Sequence, residues 1–444
     1  MQTAQPNVLY ILADDLGWGD VGYHGSAIRT PNIDRLAQSG VELDRHYVCP
    51  LCTPTRAALL TGRFPSRFGE HATVPSNAPV LPDGYPTLAS LFRANGYQTG
   101  LFGKWHLGSD PKFYANAYGF DYSYGSFAGG VDPYSHRYKE GPYSRTWHKN
   151  GELIDEQGHA TDLITDEALS WLSGREGPWF CYVPYTAVHT PVKAPEAWKD
   201  RYAEGVYDPD PERDRSFKEY AAYASHMDAA VGRFVEFLKA TGLRDNTIVV
   251  FASDNGAVTY NPSADTAQYP GRHADMPRTG SNYPLRGHKG QLYEGGIRTP
   301  AAISWPAALK PGRVTSPVHI ADWVPTLAAL ASLEQDAGLL GAPLDGTDVS
   351  EALRNPDLRS ERPPMYWNLR HARFAVRDGA WKLIRRLRKD STDTELYDVE
   401  ADPLEERDVA EDNPTRVQEL INLLERLRAD DDTLARPEFC SVDT

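Results

Sequence analysis

Five short, almost unbroken apolar runs punctuate the chain, at 8–12, 98–102, 179–183, 248–252 and 301–305. A strand with one wet face alternates apolar and polar residues, so solid runs like these predict strands buried on both faces. Segments of helical period lie between them, at 31–39, at 86–95 and from about 216 to 241. The last sets Tyr220, Tyr223, Met227, Val231, Phe234 and Leu238 along one face. This alternation predicts an α/β fold, a large, mostly parallel mixed sheet flanked by helices. Gly40 and Gly96 directly follow the two shorter helices and are expected as left-handed caps, while Gly242 ends the long one.

The pattern changes after about residue 364. Runs at 374–377 and 381–385 flank the turn Asp378-Gly379, a further run spans 395–399, and 417–427 has helical period. A small C-terminal subdomain of antiparallel strands and a helix is expected, giving a division into a main domain, 1–364, and a smaller one, 365–444. Residues 113–151 and 260–286 are rich in Gly, Pro, Tyr, Ser, Asp and His without a period. They are expected to be long loops walling a substrate site.

Lys plus Arg total 46 against 61 Asp plus Glu, a net charge of −15. Phosphate backbones would be repelled over most of such a surface, which argues against a nucleic-acid partner. No apolar run approaches the ~18–20 residues of a membrane span, so no membrane partner is expected. The opening Met1-Gln-Thr-Ala-Gln-Pro-Asn7 has neither a basic nor an apolar leader region. Its expected compartment is cytoplasmic as written, or periplasmic with a signal removed. The 4 cysteines are too few for a disulfide framework. Asn261 and Asn413 are each followed by Pro, so neither is a glycosylation acceptor.

Candidate chemistry sits just past the strand ends, where the loops of an open α/β sheet converge. The run 8–12 leads into Asp14-Asp15, and 248–252 leads into Asp254-Asn255. Together they form an all-oxygen set suited to Ca²⁺ or Mg²⁺ rather than zinc. The same residue types also cap turns. In Cys49-Pro-Leu-Cys52-Thr-Pro54-Thr55-Arg56, Pro54 fits the first turn of a helix, placing Cys52 at its N-terminus and Arg56 one turn further on. Position 52 has three readings at this level: a buried structural cysteine, one half of a CxxC pair with Cys49, or a nucleophile.

The stretch from Cys52 to Arg56 resembles the Cys-x-Pro-x-Arg signature of the type I sulfatases, in which the cysteine is oxidised to formylglycine by a maturation enzyme. The likeness extends along the chain. Asn7 to Asp20 resembles the family's opening strand and metal motif, and Gly103-Lys104-Trp-His106-Leu-Gly108 its second signature. Val188-His189-Thr-Pro191 and Ser253-Asp254-Asn255-Gly256 are similar to its third and fourth. Residues 284–298 resemble its lysine-bearing segment, and 395–403 its C-terminal subdomain. Thr55 stands where many members have Ser. The Pro284-Leu-Arg-Gly stretch and the Tyr134-Ser-His136 loop most resemble the arylsulfatase B branch, the N-acetylgalactosamine-4-sulfatases.

The resemblance implies a sulfuric ester hydrolase acting on a sulfated carbohydrate or aryl sulfate. Asp14, Asp15, Asp254 and Asn255, with the converted Cys52, would hold one divalent cation. Ca²⁺ is favoured because it tolerates a crowded, flexible oxygen shell, although Mg²⁺ satisfies the same list. Arg56 would neutralise the hydrated aldehyde. Lys104 and Lys289 would bind sulfate oxygens, His189 would be the general acid, and His106 the base that releases sulfate. Further substrate contacts are expected among His136, His273, His288, His371, Trp367, Arg370 and Arg373, the last three suiting an interdomain interface equally well. The alternatives are a phosphonate or phosphate ester hydrolase of the same superfamily and a non-catalytic sulfated-glycan-binding relative. One cation with Lys104, Lys289 and Arg56 suits a monoanionic ester, whereas phosphate monoesters usually meet two metals.

Overall fold

The computed structural model describes residues 5–259, 268–269, 279–334, 343–359 and 361–436. All five apolar runs are strands, at Asn7–Ala13, Gln98–Lys104, Trp179–Pro184, Thr247–Ser253 and Ala301–Ser304. They belong to a ten-stranded mixed sheet. Asn7–Ala13 lies at its centre, parallel to Thr247–Ser253 on one side and Trp179–Pro184 on the other. Gln98–Lys104 and Tyr122–Ser126 continue the parallel run, while Ala301–Ser304 is antiparallel to Thr247–Ser253.

Every residue of Asn7–Ala13 is buried because each face of the sheet meets its own core. Val8, Tyr10 and Leu12 enter one apolar cluster, and Leu9, Ile11 and Ala13 enter the other. The two-residue period of a strand thus serves both sides, which is why the sequence shows no alternation.

The helix Pro31–Ser39 spans the expected residues, and the second short one is Leu88–Ala94. The long helix is Pro211–Ala240, with its six expected core residues buried. It starts earlier than its apolar period because the Asp210 carboxylate accepts bonds from the Glu212 and Arg213 N–H groups, with Pro211 in the first turn. Gly96 is left-handed at φ 82°, but Gly40, at φ −127°, is not. Gly40 serves close approach instead, since a Cβ there would lie 2.3 Å from the Ile303 carbonyl oxygen. No helix among the described residues is long and apolar enough to cross a membrane.

A separate four-stranded antiparallel sheet follows: Met365–Leu369, Arg373–Asp378, Trp381–Leu387 and Thr392–Asp398. The helix Pro414–Arg428 covers it, packing Leu420 and Leu424 on Phe374, Val376, Leu383 and Leu396. Its first strand was not expected from the sequence. The segment 113–151 is also more ordered than a loop, since it contributes Tyr122–Ser126 and Trp147–Lys149 to the main sheet. Most of the other expected loop, 260–267 and 270–278, lies outside the described residues.

Candidate active site

Register places the chemistry. Ala13 is level with Ser253, so Asp14-Asp15 and Asp254-Asn255 leave the sheet side by side. The Asp254 N–H donates to the Ala13 carbonyl and the Asp14 N–H to the Ala187 carbonyl, at 3.1 and 2.8 Å. Asp15 turns back with φ 65°, and its N–H donates to Asp254 Oδ1 at 3.2 Å. Asn255 Nδ2 donates to Asp15 Oδ1 at 2.7 Å.

Cys52 opens the helix Cys52–Thr61, all of whose residues are buried, and Pro54 lies in its first turn. Such a helix end carries unpaired N–H groups and partial positive charge. Cys52 Sγ lies 3.3 Å from His106 Nδ1. Arg56, one turn on, donates through Nη2 to Asp254 Oδ2 at 2.8 Å and through Nη1 to the Lys104 carbonyl at 2.8 Å. Lys104 Nζ reaches Asp14 Oδ2 at 2.7 Å, and Lys289 Nζ reaches Asp15 Oδ1 at 2.5 Å. His189 Nδ1 donates to the Thr190 carbonyl at 2.6 Å, leaving Nε2 facing Asp15 Oδ2 at 3.9 Å. The ten residues singled out from the sequence therefore form one contiguous cluster. Lys289 and His189 are its more open members, at 11 and 13 % side-chain exposure.

Its electrostatics follow from burial. Desolvation pushes the Cys52 thiol up against the pull of Lys104 and Lys289, so sulfur is held as a thiol, a poor nucleophile. Burial, reinforced by Lys104 and Arg56, holds His106 well below its usual range and therefore neutral. Burial alone would raise Asp15, but Lys289 and His189 reverse this and keep it ionised. Asp254, raised by burial and by Asp14 despite Arg56, moves up to about 6.

Three carboxylates (Asp14, Asp15 and Asp254) face three permanent cations (Arg56, Lys104 and Lys289), so the side chains balance. Asp14 Oδ1 and Asn255 Oδ1 are nevertheless buried without a hydrogen-bond partner among the described residues. An orphaned buried acceptor costs about 1–3 kcal/mol. Two orphaned oxygens amid carboxylates fit a hard divalent cation, which would supply the missing partner. Adding such an ion leaves a positive surplus, suited to an anionic ligand.

Three neighbours of the site were not anticipated. A Cβ on Gly129 would lie 2.4 Å from His106 Nε2, and one on Gly130 would lie 3.0 Å from His189 Nδ1. The Gly-Gly pair was the available signal. Tyr220 OH donates to Asp20 Oδ2 at 2.7 Å and approaches the Asp15 carbonyl at 3.3 Å, steadying the Asp15 turn. Among the weaker candidates, His136 contacts the Gly158 carbonyl at 3.1 Å and stacks on Trp147, and His288 Nδ1 donates to the Lys289 carbonyl at 2.9 Å. His371 lies 3.8 Å from Asp432, and the Arg370 side chain is exposed. Trp367 is buried at the join, donating to the Val48 carbonyl at 2.9 Å. His273 lies outside the described residues.

Comparison with known proteins places this geometry. The family model described as Sulfatase matches residues 6–333, and one described as N-sulphoglucosamine sulphohydrolase, C-terminal, matches 288–430. Arylsulfatase J of Mus musculus is 35 % identical over 85 % of this chain and 62 % of its own length, so the chain spans somewhat less than two thirds of that relative. N-acetylgalactosamine-6-O-sulfatase of Bacteroides thetaiotaomicron is 29 % identical over 96 % of this chain and 93 % of its own. The crystal structure of Ps i-CgsB aligns with a TM-score of 0.82 at 32 % identity, covering 96 % of this chain and 93 % of that one. With the Sulfatase model matching well over half of its length, the chain belongs to the sulfatase family.

Proposed function

We propose that the protein hydrolyses the sulfate monoester of a sulfated carbohydrate, using formylglycine made from Cys52 and one divalent cation, Ca²⁺ in preference to Mg²⁺. The observation that carries this is the position of Cys52, at a buried helix N-terminus 3.3 Å from His106 and within the field of Lys104 and Lys289. Similarity to Ps i-CgsB, one structure of which is a complex with k-i-k-neocarrahexaose, supports a carbohydrate ester. Residues 1–364 would be the catalytic domain and 365–444 a subdomain bracing it.

Formylglycine at residue 52 would supply, as its hydrate, a nucleophile with a second hydroxyl, chemistry that splits one hard displacement into two steps. The cation, held by Asp14, Asp15, Asp254, Asn255 and residue 52, would lower the pKa of the attacking hydroxyl and neutralise a sulfate oxygen. Lys104 and Lys289 supply fixed positive charge for the remaining sulfate oxygens, the kind of pre-organised field that contributes most to catalysis. Arg56, anchored on Asp254, keeps the region beside residue 52 positive. His189 holds its Nδ1 proton against Thr190 and, as the doubly protonated ring facing Asp15, would give its Nε2 proton to the departing sugar oxygen and be left neutral. His106, neutral and beside residue 52, has a free pair with which to take the proton from the second hydroxyl.

The test is the mass of the proteolytic peptide containing residue 52, from protein co-expressed with a formylglycine-generating enzyme, together with rates on matched sulfate and phosphonate esters. An aldehyde and a preference for the sulfate ester are expected. An unmodified thiol beside a working maturation control would overturn the mechanism and favour a glycan-binding relative. Preference for the phosphonate would instead transfer the same machinery to the other ester.

A further inference from the structure

Lys289 is followed, two residues later, by one wall of a second cavity. The cleft measures about 430 Å³, with Gln291, Leu292 and Tyr293 on one side and Arg373, Arg386 and Arg388 of the C-terminal sheet on the other. That volume lies within the usual range for small-ligand sites. Its location ties it to the active site. Two residues of chain span at most about 7 Å, and the intervening Gly290 N–H donates at 2.8 Å to the Pro50 carbonyl, two positions before Cys52.

The charges in the cleft do not cancel. Arg386 pairs with Glu395, Nη1 to Oε1 at 2.5 Å, and also donates to Tyr293 OH. Arg388 pairs with Asp393 at 2.6 Å. Arg373 makes no ion pair or side-chain hydrogen bond among the described residues. It stands directly opposite Arg386 in the antiparallel register. Like charges facing each other across a strand pair are destabilising. Three guanidinium groups against two carboxylates thus concentrate positive charge in a concave site, on a protein whose net charge is −15.

We infer, on the sulfate-ester reading above, that this cleft receives a second anionic group, a sulfate or carboxylate, on the sugar ring adjoining the one that is desulfated. Arg373 is the specificity-determining residue. A planar guanidinium fork matches either anion, and an anion between Arg373 and Arg386 relieves their repulsion. The substrate class narrows from any sulfated sugar to oligosaccharides bearing anions on consecutive rings.

The experiment compares sulfated disaccharides in matched pairs, with and without a sulfate or uronate carboxylate on the adjoining ring. Mature protein should favour the doubly anionic member in kcat/KM by about tenfold or more, the equivalent of one charge-assisted contact. The Arg373→Ala variant should lose about tenfold of that preference, mainly through KM, and Arg373→Lys should recover part of it. Rising salt should erode the preference in the wild type more than in Arg373→Ala. A preference unchanged in Arg373→Ala with an unaltered thermal midpoint would overturn the inference. If mature protein cleaves neither member, the hydrolase reading fails separately. Calorimetric Kd values for the same pairs then decide the cleft, and equal discrimination by wild type and Arg373→Ala counts against it.

Discussion

Lys289 Nζ lies 2.5 Å from Asp15 Oδ1, closing an ion pair between positions 274 residues apart. Lys104 meets Asp14 in the same way at 2.7 Å. With Arg56 on Asp254, each carboxylate proposed to hold the cation is thus already compensated by a fixed charge, and among the described residues Asp14 Oδ1 and Asn255 Oδ1 are left without a hydrogen-bond partner. Chelator-treated protein should therefore stay folded, and Ca²⁺ should raise its thermal midpoint in a dose-dependent way. At a hundred times Kd the gain is about 2.7 kcal/mol. Asp14→Asn should weaken that response, and an identical calcium titration in wild type and variant would count against this site.

The contact between Cys52 and His106 separates the two halves of the proposed reaction. If His106 only releases sulfate, His106→Asn should lower kcat by about 10²–10⁴-fold. Sulfated residue 52 should then accumulate and be visible by mass spectrometry of the quenched enzyme. Loss of activity without that adduct would place His106 in the first half instead.

Gly129 offers a test of positioning. The Cβ of Gly129→Ala would fall 2.4 Å from His106 Nε2, so the ring must move. Displacements of about 1 Å can cost about a hundredfold in rate. A tenfold or greater fall in kcat is expected, with the melting midpoint changed by only a few degrees. Unchanged kcat would show that the ring has room to retreat.

Acid sensitivity should come from histidines buried in the neutral form. Burial pushes His46 and His148 down to about 3 and His159 to about 4, against an unfolded value near 6.5. Between those values the unfolded chain binds more protons, so stability falls as pH drops from 6.5 toward 3, by at most about 1.4 kcal/mol per pH unit for each group. At His46 the cause is local. Its Nε2 accepts from Trp323 Nε1 at 3.1 Å and therefore has no place for a proton. Denaturation midpoints from pH 7 to 4 should show this slope, and His46→Gln should flatten it. A slope unaltered in that variant would exclude His46 as a source.

Lys382 Nζ donates to Glu294 Oε1 and forms an ion pair with Glu405, both at 2.7 Å, and all three side chains are fully buried. Lys382→Met removes the cation shared by two buried carboxylates, of which Glu294 keeps Tyr47 and Arg298 as partners, and breaking a buried pair costs about 3–5 kcal/mol. Glu294 opens the turn only five residues after Lys289, so activity should fall along with stability. Urea unfolding and kcat/KM measured together would check this, and a stable, inactive variant would contradict it.

Legibility from sequence followed burial and locality. Strands with a core on each face announce themselves as solid apolar runs, and the acids at their ends could be read from position alone. Met365–Leu369 is nearly as buried, but it follows Pro363-Pro364 and includes the polar, half-buried Asn368, so no solid apolar run marks it. Gly40 looked like a helix cap, whereas the Ile303 carbonyl pressing against it comes from a strand more than 260 positions away. The Glu294, Lys382 and Glu405 cluster and the packing of Gly129 on His106 leave no local pattern, because each partner acquires its meaning only after the chain has folded.

Cys52 is only 2 % exposed, on a helix with no solvent-facing residue. Under the proposed mechanism, an enzyme that oxidises this side chain would have to reach it, and the finished fold closes off every residue of its helix. Conversion would then be a race in time. The segment would have to be oxidised before the sheet closes over it, and molecules that fold first would be committed to an inert thiol. The active fraction of a preparation would then report the relative speeds of two processes during synthesis, whatever the stability of the final protein.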